Sequence, residues 1–386
     1  MSRRIHFITG ARSDYDLMSP VVRALQRAPQ VEASLVVCAA HLSPFHGNTI
    51  DIIRQDGFRI AGTVESLLSS ESWAGRSLSF AALMDGLTRS LTADKPDVIF
   101  VAGDREEALA GALVGCFLRI PVAHSHGGDR CLASDIDEVF RPAISKLANL
   151  HLVATREHAT RLERMGERPG SIHVTGAAGL DRLNGIDAVP LEVVQRRHGL
   201  ARGTRHFLVI HHPSPTLGLE EGVREIRELL TGVLRHGHAV FCGYPNFDPG
   251  NIGIRAVIDE FRDTHDNLFT YHNMPADEFA TLYRNAIAIV GNSSSIVIES
   301  GHLKVPGVLV GRRQELRTIG PNVLSVPAAA SCISDACRRC LDDRDFLALV
   351  AAGDSPYGDG KAAARIARIL IDTRFAASDL LKTIPY

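Results

Sequence analysis

The chain is predicted to be an α/β protein made of two doubly wound domains, each built on a parallel sheet. Three observations carry this expectation. Short apolar runs rich in Val and Ile recur from end to end, separated by longer stretches of helical periodicity. These runs are apolar throughout and do not alternate, as befits strands covered by helices on both faces. The series restarts near His206, after a stretch with few apolar residues in register, and 386 residues correspond to roughly two or three domains.

In the first half the strand candidates are 4–9, 33–38, 97–102, 121–124, 150–154 and 172–175, with helices such as 16–26, 105–117 and 137–148 as crossovers. The second series is 207–211, 239–244, 268–271, 286–290 and 307–310. The stretch 176–203, with several Gly and Arg, holds the boundary. The expected division is 1–178 for an N-terminal Rossmann-like domain and 179–365 for a C-terminal one. A final helix in 366–386 is expected to pack back on the first domain. Two such domains facing each other place their functional loops at the carboxyl ends of the strands, in a central cleft.

Composition narrows the function. Forty-two basic residues against forty-four acidic ones leave a net charge of −2, with no block of like charge, so neither nucleic acid nor an anionic membrane surface is an expected partner. Met-Ser-Arg-Arg is followed by only a short apolar stretch from Ile5, too short for a signal-peptide core. The longest apolar stretch, around 108–118, falls below the roughly eighteen residues of a membrane span. A cytoplasmic location is expected. Seven cysteines scattered from Cys38 to Cys340 fit a reducing compartment. Cys332, Cys337 and Cys340 resemble part of an iron–sulfur spacing, but no fourth cysteine follows, and helical core packing accounts for Cys337 and Cys340.

Chemistry-bearing residues cluster at strand ends. The first strand is followed by Thr9-Gly10-Ala11-Arg12-Ser13-Asp14-Tyr15, which lacks the three-glycine dinucleotide fingerprint, so no nicotinamide or flavin cofactor is expected. It is either a plain strand-to-helix turn or a loop aiming Arg12 at a phosphate. Strand 97–102 ends in Gly103-Asp104-Arg105-Glu106-Glu107, where Asp104 suits a helix N-cap. Strand 121–124 runs into Ser125-His126-Gly127-Gly128-Asp129, whose glycines imply close backbone approach or positive φ. His124 and His126 share a face, but with no third ligand at a recognisable spacing no metal is expected. Ser134 to Arg141 reads as a helix start with acids in its first turn, by itself ordinary dipole complementation. Asp104, Asp129, Asp137 and Glu138 nevertheless converge on one sheet edge, a set from which a general acid and base can be drawn.

In the second half, 207–211 ends in His211-His212-Pro213, and 239–244 leads into Pro245-Asn246-Phe247-Asp248-Pro249-Gly250. Strand 286–290 is followed by Gly291-Asn292-Ser293-Ser294-Ser295 and a helical stretch 296–302 with Glu299 one turn in. Consecutive hydroxyls and free N–H groups at a helix start make a phosphate seat. The alternative is a serine-capped helix with nothing bound. Arg312 and Arg313 could add charge for a pyrophosphate.

Taken together these residues resemble the hydrolysing UDP-N-acetylglucosamine 2-epimerases of sialic and legionaminic acid biosynthesis. The motifs are Thr-Gly-x-Arg-x-x-Tyr at 9–15, Gly-Asp-Arg-x-Glu at 103–107, His-x-His-Gly-Gly at 124–128, Asp-Glu-x-x-Arg at 137–141, Ala-Thr at 154–155, His-Pro at 212–213, Tyr-Pro-Asn-x-Asp-Pro-Gly at 244–250 and Gly-Asn-Ser-Ser-Ser at 291–295. The resemblance implies a GT-B arrangement, with a catalytic N-terminal domain and a nucleotide-binding C-terminal one. It implies elimination of UDP or GDP from a 2-acetamido sugar nucleotide, followed by hydration of the glycal to the free 2-epimerised sugar. Asp104, Asp129, Asp137 and Glu138 are the implied catalytic acids. Arg12, His126, Arg141, His212, Asn246, Ser293, Ser294, Ser295, Glu299 and Arg313 are the implied substrate and nucleotide contacts. No cofactor and no metal are implied, and a homodimer is. Three positions depart from the family pattern: Asp129 stands for the usual Glu, Pro142 for the usual His and Ile296 for the usual Gly. Two alternatives follow: a GT-B glycosyltransferase, against which the number of acids argues, and a catalytically inactive sugar-nucleotide binding protein.

Overall fold

The structure, a computed structural model, describes residues 2–68, 70, 72–132, 136–214, 218–246, 249–272 and 274–382. The chain divides into two compact units. The first comprises Met1–Asp129, Ile136–Arg182 and Gly360–Tyr386, the second Arg130–Asp135 and Leu183–Asp359.

In the first unit seven strands form one parallel sheet: β1 (Arg3–Thr9), β2 (Val31–Cys38), β3 (Ile60–Val64), β4 (Val98–Ala102), β5 (Val122–Ser125), β6 (Leu150–Val153) and β7 (Ile172–Val174), in the order 3-2-1-4-5-6-7. The absence of alternation in the sequence has a direct cause. On β1, Ile5 and Phe7 join one core with Met18, Val22 and Leu25, whereas Ile8 joins a second core on the opposite face with Leu83, Leu87, Ile99 and Val114. The helix Ala362–Asp372 contributes a stripe of Ala362, Ala363, Ile366 and Leu370 to the first core, burial of Ile366 and of Leu370 being worth roughly 1.5–3 kcal/mol each. Its first N–H groups, at Ala362 and Ala363, donate to the Asp181 carboxylate at 2.9 and 3.0 Å. That contact explains why the first unit runs on through Arg182 and resumes at Gly360, where sequence boundaries of 178 and 366 were expected.

In the second unit six strands pair in parallel: β8 (His206–Ile210), β9 (Ala239–Gly243), β10 (Leu268–Tyr271), β11 (Ile289–Gly291), β12 (Gly307–Val310) and β13 (Val323–Val326), in the order 10-9-8-11-12-13. Cys337 and Cys340 are buried in its core beside Ile333, as ordinary packing residues. Residues 130–132 join this unit through Leu132 N–H on the Glu315 carbonyl at 3.0 Å and Cys131 Sγ on the Arg313 carbonyl at 3.1 Å.

Two strands went unread in the sequence, β3 and β13, and both are sheet edges. Edge strands pair on one side only and stay half exposed, so Ile-Ala-Gly-Thr-Val and Val-Leu-Ser-Val carry weaker signals than interior strands. Each sheet reverses its winding once, between β1 and β4 and between β8 and β11. Those switch points are where open α/β sheets bind ligands, outside the carboxyl ends of the strands.

Candidate active site

At the first switch point the loop after β1 wraps around Asp14. Its carboxylate accepts from Thr9 Oγ1 at 2.8 Å, Gly10 N–H at 3.0 Å and Ala11 N–H at 3.1 Å, so the helix starts at Arg12 (Arg12–Leu25), where the sequence suggested 16. Gly10 is required because a Cβ there would lie 2.2 Å from Glu107 Cγ. Burial, then the charge of Glu107, pushes Asp14 up to about 6. His41, fully buried, touches Thr9 Oγ1 at 3.0 Å and Thr49 Oγ1 at 2.7 Å, and burial lowers its pKa to about 4. Arg12 itself has a half-exposed side chain, with Nε 3.4 Å from Asp16.

The loop after β4 carries Asp104. The sequence left Asp104 as a helix N-cap, a catalytic acid or both; the helix Glu106–Leu118 is capped at Arg105 without a side-chain bond, and the Asp104 carboxylate accepts from Arg141. Arg141 is buried. It also donates to the His126 carbonyl at 3.4 Å, and its Nε lies 3.8 Å from Glu138 Oε1. Asp104, Arg141 and Glu138 thus form one cluster. Asp137, the first residue of the helix Asp137–Leu147, is pushed up to about 7 by burial and then by the charge of Asp104; Arg105 and Arg76 pull the other way. Glu106 goes in the opposite direction. Burial opposes its ionisation, but its bond to Arg76 and the charges of Arg76 and Arg105 prevail and hold it below the usual range.

The His126-Gly127-Gly128 turn is tight. His126 and Gly128 have φ of 66° and 75°. A Cβ at Gly127 would sit 2.8 Å from Ser145 Oγ, and one at Gly128 would sit 2.4 Å from the His158 carbonyl oxygen. Asp129, 5% exposed, follows the turn and meets His158 Nε2 at 3.3 Å. His124 is a framework pin. Nε2 donates to the Gly103 carbonyl at 2.8 Å, Nδ1 accepts from Ser145 Oγ at 3.1 Å, and burial lowers its pKa to about 3. Pro142 lies inside the Asp137–Leu147 helix and has no N–H to offer the Glu138 carbonyl. Among the described residues no three His, Cys, Asp or Glu side chains gather as they would around a metal ion.

The second switch point is built mainly from neutral groups, with the Arg313 guanidinium beside them. Gly291 has φ of 142°, and a Cβ there would lie 2.1 Å from the Ile210 carbonyl oxygen. Asn292, fully buried, clamps the loop after β8: its Oδ1 accepts from His212 N–H and its Nδ2 donates to the His212 carbonyl, both at 2.8 Å. The Asn292 carbonyl in turn accepts from Gln314 Nε2 at 3.0 Å and Arg313 at 3.2 Å, and Arg313 Nε donates to the Pro213 carbonyl at 3.2 Å. Asn246 N–H points at His212 Nδ1 at 3.4 Å. Ser293 caps the following helix by accepting from Ser295 N–H at 3.3 Å and Ser295 Oγ at 3.0 Å.

That helix is Ser294–Ile298, shorter and earlier than the expected 296–302, with Ser293 as its N-cap. Ser294 and Ser295 therefore occupy its first turn, half-buried, and Glu299 sits at its C-terminal end. Ile296 is buried in the packing, with its Cγ2 2.9 Å from where a Cβ on Gly307 would be. Beneath this edge His211 and Glu225 are both buried, 3.7 Å apart. Burial lowers His211 to about 3 and raises Glu225 to about 7. Ser134, Asp135, Phe247 and Asp248 lie outside the described residues.

Sequence reasoning missed Asp14, His41, His158 and Glu225, which lack a local motif of their own, and Asn292, whose place in Gly-Asn-Ser-Ser-Ser was a usable signal.

The comparisons with known proteins agree with one another. The family model described as UDP-N-acetylglucosamine 2-epimerase matches residues 23–371. The chain is 32% identical over 386 residues to the UDP-N,N'-diacetylbacillosamine 2-epimerase (hydrolyzing) of Legionella pneumophila, covering 100% of this chain and 97% of that one. It is 26% identical over 330 residues to the GDP/UDP-N,N'-diacetylbacillosamine 2-epimerase (hydrolyzing) of Campylobacter jejuni, covering 83% and 84% of the two chains. Among solved structures it resembles the UDP-GlcNAc 2-epimerase of Neisseria meningitidis, with a TM-score of 0.81 at 18% identity over 96% of this chain and 100% of that one. That likeness bears on the fold, two parallel-sheet α/β domains of the GT-B-like class.

Proposed function

The chain belongs to the UDP-N-acetylglucosamine 2-epimerase family, and on that premise we propose that it is a hydrolysing 2-epimerase. It eliminates UDP or GDP from a 2-acetamido sugar nucleotide, either UDP-GlcNAc or UDP-N,N'-diacetylbacillosamine, and hydrates the resulting glycal to the free manno-configured sugar. In the first step a base takes the C2 proton while the C1–O bond breaks and its electron pair leaves with the β-phosphate. In the second, an acid returns a proton to C2 from the other face while water adds at C1. Both steps need carboxyl groups that change protonation state near neutrality.

The observation that carries this reading is Asp137, held near a pKa of about 7 beside the Asp104–Arg141–Glu138 cluster. In this reading Asp137 and Glu138 move the protons and Asp104 sets the charge they feel. Arg141 fixes the orientation of the carboxylates, and Asp129 is held by His158. Ser293, Ser294, Ser295, His212, Asn246, Glu299 and Arg313 hold the nucleotide, with Arg12 on its diphosphate and His126 on the sugar. The protein acts in the cytoplasm as a homodimer, which sedimentation of the purified chain tests.

Incubation with either sugar nucleotide and no acceptor tests the reaction. The expected result is release of UDP together with the free 2-epimerised sugar, seen by NMR. UDP release that requires an added acceptor would make the protein a glycosyltransferase, and binding without turnover would make it a sensor.

A further inference from the structure

The acids proposed to move protons stand at the start of the helix Asp137–Leu147, whose own hydrogen-bond ladder is interrupted twice. Pro142 offers no N–H to the Glu138 carbonyl. Asn149 N–H, which would continue the ladder onto the Ser145 carbonyl, turns instead to the Val122 carbonyl at 2.8 Å. The ladder therefore lacks a bond near each end.

The segment that follows the helix Ala362–Asp372 closes the second gap. Lys382 Nζ donates to the Ser145 carbonyl at 3.1 Å and to the Ala148 carbonyl at 2.6 Å, and it pairs with Glu167 Oε2 at 2.5 Å. An ammonium has three N–H donors, and these three acceptors use them all. Its charge also meets the negative end of the helix dipole. Glu167 is buried and ties the clamp to its surroundings: Lys146, from the same helix, reaches Oε1 at 2.8 Å, and His151 Nε2 reaches Oε2 at 2.9 Å. Burial opposes ionisation of Glu167, but its bonds to His151, Lys146 and Lys382 prevail and lower its pKa to about 2. The counter-charge of Lys382 is thus present throughout the neutral range.

Contacts lead from this clamp to the acids. Ser145, whose carbonyl Lys382 holds, donates its hydroxyl to His124, and His124 donates to the carbonyl of Gly103, the neighbour of Asp104. The segment carrying Lys382 has anchors of its own. Asn149 Nδ2 donates to the Asp379 carbonyl at 2.9 Å, and Arg168 donates to the Leu381 carbonyl at 3.2 Å.

Building on the hydrolysing reading, we infer that Lys382 is a positioning residue: it fixes the last turn of the Asp137–Leu147 helix and, through that helix and the Ser145–His124 contact, keeps Asp137 and Glu138 in register with Asp104.

Lys382→Met keeps the reach of the side chain and removes its charge and donors, whereas Lys382→Arg keeps both. In Lys382→Met kcat should fall about tenfold, with UDP affinity unchanged, since a misplacement of 1 Å costs up to about a hundredfold. The limb of the kcat–pH profile near pH 7 should move to lower pH, because Asp137 owes its raised pKa to burial and then to the charge of Asp104. A simple loss of folded enzyme would lower kcat without moving the profile. Lys382→Arg should restore both the rate and the profile.

Hydrogen–deuterium exchange, read by mass spectrometry, follows the helix without needing turnover. Amides in its first two turns, remote from Lys382 along the helix, should exchange faster in Lys382→Met than in the parent. An unmoved pH profile or unchanged exchange in Lys382→Met, or an equal loss in Lys382→Arg, would overturn the positioning role while leaving the hydrolysing reading in place. A parent that turns over neither sugar nucleotide would overturn the hydrolysing reading, and faster exchange in Lys382→Met would then still support the hold of Lys382 on the helix.

Discussion

The carboxyl edges of the two sheets occupy the same topological position, yet they are chemically opposite. Between β1 and β4 the edge is crowded with ionisable groups whose charges act on one another: Asp14 near 6, Asp137 near 7, Glu106 depressed, and Arg141 buried between Asp104 and Glu138. Between β8 and β11 the edge is organised by the Asn292 amide, the Ser293 and Ser295 hydroxyls and backbone N–H groups, together with the Arg313 guanidinium. The difference shows what one fold does with two kinds of side chain. Buried carboxylates that disturb each other can move protons near neutral pH, and preorganised hydrogen-bond donors can hold an anion.

The comparison breaks most visibly if the acids are removed. Asp137→Asn and Glu138→Gln keep shape and remove the carboxyl, so at least one should lose about 10²–10⁴ in turnover with UDP affinity nearly unchanged. Full rates in both would reduce the first edge to helix-dipole complementation. On the second edge, Asn292→Ala leaves the His212 N–H and carbonyl without their buried partner. UDP binding and stability should each fall by about 2–3 kcal/mol, read by calorimetry and urea melts. Ser295→Ala and Glu299→Ala should weaken UDP by roughly 1–3 kcal/mol each, without shifting the pH profile of turnover. Unchanged affinity in both would place the nucleotide elsewhere.

The smallest effect sharpens the contrast. Native Asp137 keeps its proton to about pH 7, whereas in the unfolded chain it ionises near the ordinary value of about 3.9. Its contribution to stability is therefore fully present below that value and lost as the pH rises through 7. Asp137→Asn should be more stable than the parent at pH 8, by about 1 kcal/mol, and the gap should close towards pH 5. Equal stabilities at pH 8 would contradict the raised pKa.

Interior strands were legible because helices cover both of their faces, which leaves unbroken apolar runs such as Ile-Phe-Val-Ala and Val-Leu-Val. The edge strands β7 and β10 were read as well, but β3 and β13 were not, since Gly62 and Thr63 in the one and Ser325 in the other break the apolar run. The acids of the first edge were legible as a set, because the topology places strand ends together. Their partners were not. Arg141 reaches Asp104 from the helix after the neighbouring strand, so a local reading kept a helix cap open for Asp104 beside its role as an acid. Asp14 stood unremarked in the Thr9–Tyr15 loop, and only the fold brings it onto Thr9, Gly10 and Ala11. The Ser-rich motif was recognised, but its helix was placed too late, because periodicity marks where apolar residues begin and the cap lies upstream of them.

The central claim is that the first edge takes a proton from C2 and solvent returns one. Turnover in deuterium oxide, followed by NMR of the released sugar, tests it directly. The account predicts deuterium at C2 of every product molecule. Product retaining only protium at C2 would contradict it and leave simple hydrolysis at C1.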